Sequence, residues 1–358
     1  RRLPFFIRQY VLEADAGGKD QLATSFIIGK VVSWMSGKDN KDDRWGEAQK
    51  NSLLLSPTKL DERIYTRIVA SAGLTAAIDK DGTLLTFGLN QHGQCGVGEF
   101  SNNVWTPQPV MGLSTQFAHN ERSTLKQEDR VTQVALGLQH ALALDASGHL
   151  YAWGKGERGQ LGLDATSLPY AMPVSKFQLP SIDGSQRWAI NPAIIKIGAG
   201  MNHSVALSDD NLLFVWGKNV LPSKDKGADD AIVPTAVKGL PNKAIVDVTC
   251  GSHHTSVLLD DGSVYGFGIP RDSDRLVFEP VQQVPAGVIE MPCRQFQGHF
   301  DRTTIVGKSG DQVLQVQLWS DPDIQSHACF TPLWRDSLTS KVLAVHRGWL
   351  HSLIVTED

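Results

Sequence analysis

Cysteine is scarce and scattered. Cys95, Cys250, Cys293 and Cys329 are the chain's four, and no two stand in C-x-x-C spacing. This argues against a disulfide-stapled scaffold or a zinc ribbon, and for free thiols in a reducing compartment. Long apolar runs are missing too. No stretch approaches the ~20 residues that span a bilayer as a helix, and the opening RRLPFFIRQYVLEAD lacks the pattern of a secretory signal. An excess of one charge is also absent: 34 Lys and Arg face 38 Asp and Glu, a formal net charge of −4, with neither sign gathered into a long run. Direct nucleic-acid binding through phosphate neutralisation is therefore not expected. No serine sits in a G-x-S-x-G elbow and no carboxylate pair stands out from the loop acids, so no catalytic constellation is visible.

What the chain does have is a repeated hairpin. The clearest copy is GLQHALALDASGHLYAWGKGERGQLG, from Gly137 to Gly162. Leu142 and Leu144 alternate with smaller residues, Ala146-Ser147-Gly148 turns the chain, and Leu150, Tyr151 and Trp153 resume the apolar pattern. The turn glycine supplies the positive φ that tight hairpins need. Four slots define a ruler: Gly137, His140, Gly148 and Trp153. Gly200, His203, Asn211 and Trp216 fit it without a gap, as do Gly251, His254, Gly262 and Phe267. Ser71, Leu74, Gly82 and Phe87 fit with the His slot changed, and Gly18, Gln21, Gly29 and Trp34 give an N-terminal copy. His299, Arg302 and Gly310 keep part of the pattern, with Gln315 falling at the aromatic slot and a longer or bulged hairpin expected there. Gly348 and His351 begin a last copy. A Pro followed by apolar residues precedes each copy: Pro4, Pro57, Pro109, Pro173, Pro234, Pro280 and Pro332.

The first slots fall at 18, 71, 137, 200, 251, 299 and 348, so the period lies near fifty residues. Strands and glycine turns at that period argue for propeller blades, which stack because one small sheet leaves a face wet. The aromatic slot (Trp34, Phe87, Trp153, Trp216, Phe267) is the natural filler between neighbours. We call the copies modules one to seven. The pattern G-x-x-H, apolar strand, D-x-G-x-[LV]-Y-x-W-G and G-x-x-G-Q-L-G resembles the regulator of chromosome condensation repeat, over nearly the whole chain. That resemblance implies an all-β, seven-bladed β-propeller whose last blade is closed by strands from both chain ends. Residues 1–358 are read as a single propeller domain with its last blade incomplete or closed by both termini. Because the chain starts at Arg1, closing residues are expected to precede it; six blades, with 26–60 closing the ring, is the competing count.

Insertions interrupt the repeat at 113–129, expected as a loop or short helix, and at 175–192, where Trp188 is the one large apolar residue. Modules four and five lose the G-x-x-G-Q-L-G turn and carry KNVLPSKDKGADDA and IPRDSDRLVF instead. Loops on a rigid scaffold are where function usually sits, and Arg271, Asp272, Asp274 and Arg275 form the most charged short cluster there. Gly154-Lys155-Gly156-Glu157-Arg158-Gly159 spells G-x-G-x-x-G, but prolines and no helical period follow it, so it reads as a repeat turn and not a nucleotide site. The once-per-module histidines are spread apart by the repeat, whereas zinc needs converging ligands, so neither metal nor cofactor is expected. Only Gly348-Trp349-Leu350-His351-Ser352 resembles the tryptophan motif of light-sensing family members.

Together these features point to a non-enzymatic binding scaffold or assembly factor with protein partners, such as a large multi-subunit complex. The family resemblance also implies an alternative, guanine-nucleotide exchange on a small GTPase of the Ran type, although no loop here matches the family's exchange wedge. An intracellular location is expected. The Arg-rich start is compatible with a trimmed mitochondrial presequence, and a nuclear or cytosolic site is the alternative.

Overall fold

A computed structural model describes residues 63, 65–71, 73–113, 127–180, 185–222, 228–269, 277–299, 302–310, 313–316 and 318, with short strands nearer the ends. The chain divides into two compact units. One comprises 1–147, 153–155 and 167–172; the other comprises 148–152, 156–166 and 173–358.

Five modules form antiparallel sheets whose four strands follow chain order. Module two is Tyr65–Ser71, Leu74–Asp79, Leu84–Leu89 and Asn103–Pro109; module three is Val131–Leu136, His140–Asp145, Leu150–Lys155 and Ser167–Pro173. Module four is Ile194–Ala199, His203–Ser208, Leu213–Pro222 and Ala228–Ala236. Module five is Ile245–Cys250, His254–Leu259, Val264–Gly268 and Val277–Val284, and module six is Gln295–Gly298, Thr303–Val306, Val313–Val316 and Phe330–Pro332. The marker prolines Pro109, Pro173, Pro234, Pro280 and Pro332 all lie in fourth strands.

Second strands of modules two to five are buried along their whole length. Their residues alternate between two neighbours. Val257 and Leu259 join Val205, Leu207, Leu213, Val215 and Val248 in a core shared with module four. Leu258, between them, belongs to a second core with Phe296, Ile305, Leu314 and Val316 of module six. A strand covered on both faces cannot alternate polar and apolar, which is why these segments read as continuous runs. Each buried Val or Leu contributes about 1.5–3 kcal/mol of apolar transfer.

The turns follow from their residues. Gly82, Gly148 and Gly262 have φ of 81°, 84° and 79°, and Asn211, in the same slot, has φ of 65°. The Asn side chain does more than tolerate the turn: its Nδ2 donates to the Lys243 carbonyl at 2.9 Å and its Oδ1 accepts from the Ile245 N–H at 2.8 Å. Asp79, Asp145 and Asp261 each accept the backbone N–H two residues on at 2.9 Å, the bond that makes Asp a turn residue.

Three sequence expectations need correction. In the N-terminal copy Gly29 sits in a strand, not a turn: Phe26–Gly29 pairs with Gln9–Val11 and with Thr58–Lys59. Its Phe and paired Ile residues suit a pleated strand and override the ruler; Gly18 and Trp34 lie outside the described residues. In module six Val306 pairs with Val313 across 307–312, whereas in module five Leu258 pairs with Val264 across 259–263. The longer turn moves the aromatic slot by one, so Val316, paired with Thr303, stands where Phe267 pairs with Thr255, and Gln315 does not. The count changes as well. Complete four-stranded modules number five among the described residues, not seven or six. The Gln9–Lys59 sheet has three described strands, and Val342–Arg347 with Ser352–Thr356 has two.

The two insertions differ. Of 113–129, the described part ends in a short 3-10 turn, Gln127–Asp129. Within 175–192, Lys176–Leu179 and Arg187–Ile190 form a hairpin, and Gln178 pairs in parallel with Thr235, making module four's sheet six strands wide.

Candidate interaction surface

The repeat's marked residues are joints between modules. Gly200 and Gly251 are held to glycine by their own module's histidine. A Cβ on Gly251 would lie 2.1 Å from His254 Cε1 and 2.3 Å from the His299 carbonyl oxygen; one on Gly200 would lie 2.1 Å from His203 Cε1 and 2.7 Å from the Gly251 carbonyl oxygen. The histidines reach forward. His203 Nε2 is 3.1 Å from Thr255 Oγ1, and His254 Nε2 is 3.3 Å from Thr303 Oγ1, each on the next module's second strand. His140 is likewise buried, at the start of module three's second strand. Gly137 closes the preceding turn, its N–H donating to the His140 carbonyl at 2.9 Å. Gly348 and His351 lie outside the described residues.

The aromatic slot reaches backward. Trp153 Nε1 donates to the Gln94 carbonyl and Trp216 Nε1 to the Gln160 carbonyl, both at 2.9 Å. Gln94 and Gln160 are the central residues of the G-Q-x-G turns at 93–96 and 159–162. Their side chains fold back to accept the His92 and Arg158 N–H groups at 2.8 and 2.9 Å. Phe267 is buried in the core shared with module four, which has no such turn.

Where the turn is lost in module four, the chain builds outward. Module four continues as a long hairpin, with Leu221 opposite Asp229 and Pro222 opposite Ala228, and Arg158 pairs with Asp230 at 3.6 Å. The charged cluster read from sequence, Arg271, Asp272, Asp274 and Arg275, lies outside the described residues. Large apolar residues are exposed in module two (Phe100 and Trp105) as well as in module four and its added hairpin, where Trp188 is 42% exposed, Ile190 62% and Ile195 45%. Ile195 and Val246 occupy the bulge in the first strands of modules four and five, between which Lys196 pairs with Asp247 at 3.2 Å. Lys243 binds Asp261, and with Ser263 it holds the Asp261 carboxyl well below its usual range. Burial, and secondarily Lys218, push the His253 imidazole down.

Comparison with known proteins gives this pattern a family. Models of the regulator of chromosome condensation (RCC1) repeat match residues 81–144 and 147–207, and a second form of that repeat matches 131–160, 194–221 and 245–273. The chain carries RCC1 repeats. It is 28% identical over 302 residues to Protein pim1 of Schizosaccharomyces pombe, covering 78% of this chain and 50% of pim1. It is 26% identical over 262 residues to the guanine nucleotide exchange factor SRM1 of Saccharomyces cerevisiae, covering 70% and 51%. The chain thus spans about half the length of either curated relative. Among solved structures, Prp20p from Saccharomyces cerevisiae, studied for its binding properties to Gsp1p and histones, matches with a TM-score of 0.61 at 18% identity, covering 91% of this chain and 76% of that one. The fold is an all-β propeller of the RCC1 type.

The RCC1 repeat accounts for the buried His203, His254, Gln94 and Gln160, which are committed to joints between modules. Cys95 and Cys250 are free thiols whose burial pushes their pKa up to about 12, which favours the protonated form. Cys293 is also free, and burial raises its pKa. Among the described residues no three His, Cys, Asp or Glu side chains gather as a metal site, and no helix is long and apolar enough to cross a membrane.

Proposed function

We propose that this RCC1-repeat chain is a non-enzymatic binding scaffold or assembly factor, built on a propeller of seven blades. The sheet at Gln9–Lys59 and the pair at Val342–Thr356 would count as the first and last blades. One observation carries the functional reading: module four keeps a core shared with module five, replaces the repeat turn with a long hairpin and takes two further strands into its sheet. A fold by itself leaves function open, so the departures from the repeat carry more information than the repeat. The partners are proteins, engaged by the loops of modules four and five. Affinity purification of the full protein from its native source, followed by mass spectrometry, tests this. Recovered partners should be lost from a variant carrying Arg271→Glu and Arg275→Glu. A partner set identical to that of an unrelated bait would end the scaffold reading, and unchanged recovery by the variant would remove those arginines from the interface.

Guanine-nucleotide exchange is the second reading, supported by the likeness to SRM1, which is named as such a factor. Exchange factors open a GTPase's nucleotide site with inserted elements, and no triad is needed for that. Rapid nucleotide release from Ran or a related GTPase, dependent on the amount of this protein, would put exchange ahead of scaffolding.

A further inference from the structure

We infer that the hairpin between modules three and four is a docking edge for an extended, acidic segment of a protein partner. The inference rests on the scaffold reading and gives its partner a chemistry. The hairpin is anchored from below. Phe177 is fully buried and meets the Phe214 ring edge-on, with centroids 4.9 Å apart at 71°. Ala189, paired with Phe177, turns toward the same side. Its other face is open: Trp188 pairs with Gln178 and Ile190 with Lys176, so Trp188, Ile190 and Lys176 share one surface.

The outer strand, Arg187–Ile190, is the edge of the six-stranded sheet. The ladder tells which of its backbone groups face outward. The Asn191 N–H donates to the Ser175 carbonyl at 2.8 Å, so that pair is hydrogen-bonded across the hairpin. Antiparallel pairs alternate between bonded and non-bonded. Ala189 and Arg187 therefore also bond inward, while the N–H and C=O groups of Trp188 and Ile190 point away from the hairpin. The parallel pairing of Gln178 with Thr235 on the far side of the inner strand obeys the same alternation. The two residues with outward backbone groups are also the two exposed large apolar residues of the strand.

An edge with free backbone groups recognises another strand, and proteins usually protect such edges. This one carries no charge on its exposed face except Lys176. Arg187 is exposed at its end, and no acidic residue occurs among the described residues 175–180 and 185–192. The segment that fits is extended and carries, on the one face that meets Trp188, Ile190 and Lys176, an apolar residue to lie beside Trp188 and an acidic residue toward Lys176.

The test uses the full chain and two short synthetic peptides, one repeating valine-threonine-glutamate-threonine, so that valine and glutamate share a face, and the other with lysine in place of each glutamate. Fluorescence anisotropy should show the glutamate peptide binding about tenfold more tightly, and Lys176→Glu should narrow that difference. Ile190→Pro removes an outward N–H together with the exposed Ile side chain and is tolerated on an edge strand; it should weaken glutamate-peptide binding about tenfold, and Ile190→Val, which keeps the N–H, should weaken it far less. Trp188→Ala, a truncation at the surface, should weaken it severalfold without lowering the melting temperature. Peptide binding should also slow amide exchange at Trp188 and Ile190. The inference is overturned by peptides that fail to bind, by equal affinity for the two, or by binding indifferent to Ile190→Pro and Trp188→Ala. Concentration-dependent dimers abolished by Ile190→Pro would overturn it too, by showing a second copy at this edge. Native partners that still bind both variants would leave the scaffold reading standing and end this one.

Discussion

Modules two and three and modules four and five share a core plan and differ at their surfaces. In the first pair, each third strand runs into a G-Q-x-G turn whose glutamine carbonyl accepts the next module's tryptophan N–H. In the second pair that turn is gone, and the aromatic of module five is Phe267, which has no N–H to place. Phe87 agrees, since the stretch that follows module one's Trp34 slot contains no G-Q-x-G. The motif is thus a joint with two halves on different modules, and each half survives only where the other does. The bulge in the first strand shows a parallel contrast. Thr66 and Thr132 turn their hydroxyls back to the carbonyls of Ile78 and Leu144, at 3.1 and 3.2 Å. Ile195 and Val246 stand at the same bulge with nothing to donate, and both are exposed. Modules four and five thus lack both the turn motif and the threonine back-bond that modules two and three carry.

The strongest way to break this comparison is to attack what all modules share. Gly251→Ala would push a methyl group to 2.1 Å from the His254 ring and 2.3 Å from the His299 carbonyl oxygen. A backbone oxygen cannot swing away as a side chain can, so chemical denaturation should show a loss of about 3 kcal/mol or more. Adding His254→Leu should recover only part of it, because the carbonyl remains. Module two explains the rescue: with Leu74 in place of the histidine, its leading slot holds Ser71, whose hydroxyl donates to the Gly137 carbonyl at 2.8 Å. Full rescue by His254→Leu would show that the ring, and not the adjoining backbone, enforces glycine.

A smaller effect tests the two-part joint. Trp216→Phe removes the N–H that meets the Gln160 carbonyl, which keeps the Ser204 hydroxyl as a donor at 2.8 Å, so the cost should be about 0.5–1.5 kcal/mol. Phe267→Trp, the reverse exchange, should not stabilise, because module four offers no G-Q-x-G carbonyl and the core around Phe267 is already filled. A gain in melting temperature for Phe267→Trp would mean the tryptophan is preferred for its area alone.

The repeat was legible in sequence because its constraints are local. A turn that needs positive φ calls for Gly or Asn, and a glycine three residues before a histidine reports a steric fit inside one module. The ruler failed where length and not composition decides. A turn one residue longer moved the aromatic slot from Gln315 to Val316, and the apolar run Phe26–Ile28 became a strand where an even period placed a turn. The candidate surface was harder to see. Trp188 stood out as a large apolar residue, but its exposure depends on Phe177 being the face that packs, and nothing in SKFQLPSIDGSQRWAI says that the segment adds two strands to module four. The alternation in K-F-Q-L and R-W-A-I was the available signal.

The smallest expected effect sharpens the bulge contrast. Ile195→Thr and Val246→Thr would give modules four and five the residue that modules two and three carry. Each hydroxyl would then reach the matching second-strand carbonyl, of Leu207 and Leu258 respectively, since Lys196 pairs with Leu207 and Asp247 with Leu258 just as Gln133 pairs with Leu144. The apolar area given up is already largely in water, so stability should move by no more than about 0.5 kcal/mol in either direction. If the exposed pair belongs to a binding surface, partner recovery in the affinity purification should fall while the denaturation midpoint stays put. A midpoint that drops with partner recovery unchanged would instead show that Ile195 and Val246 pack against structure and face no partner.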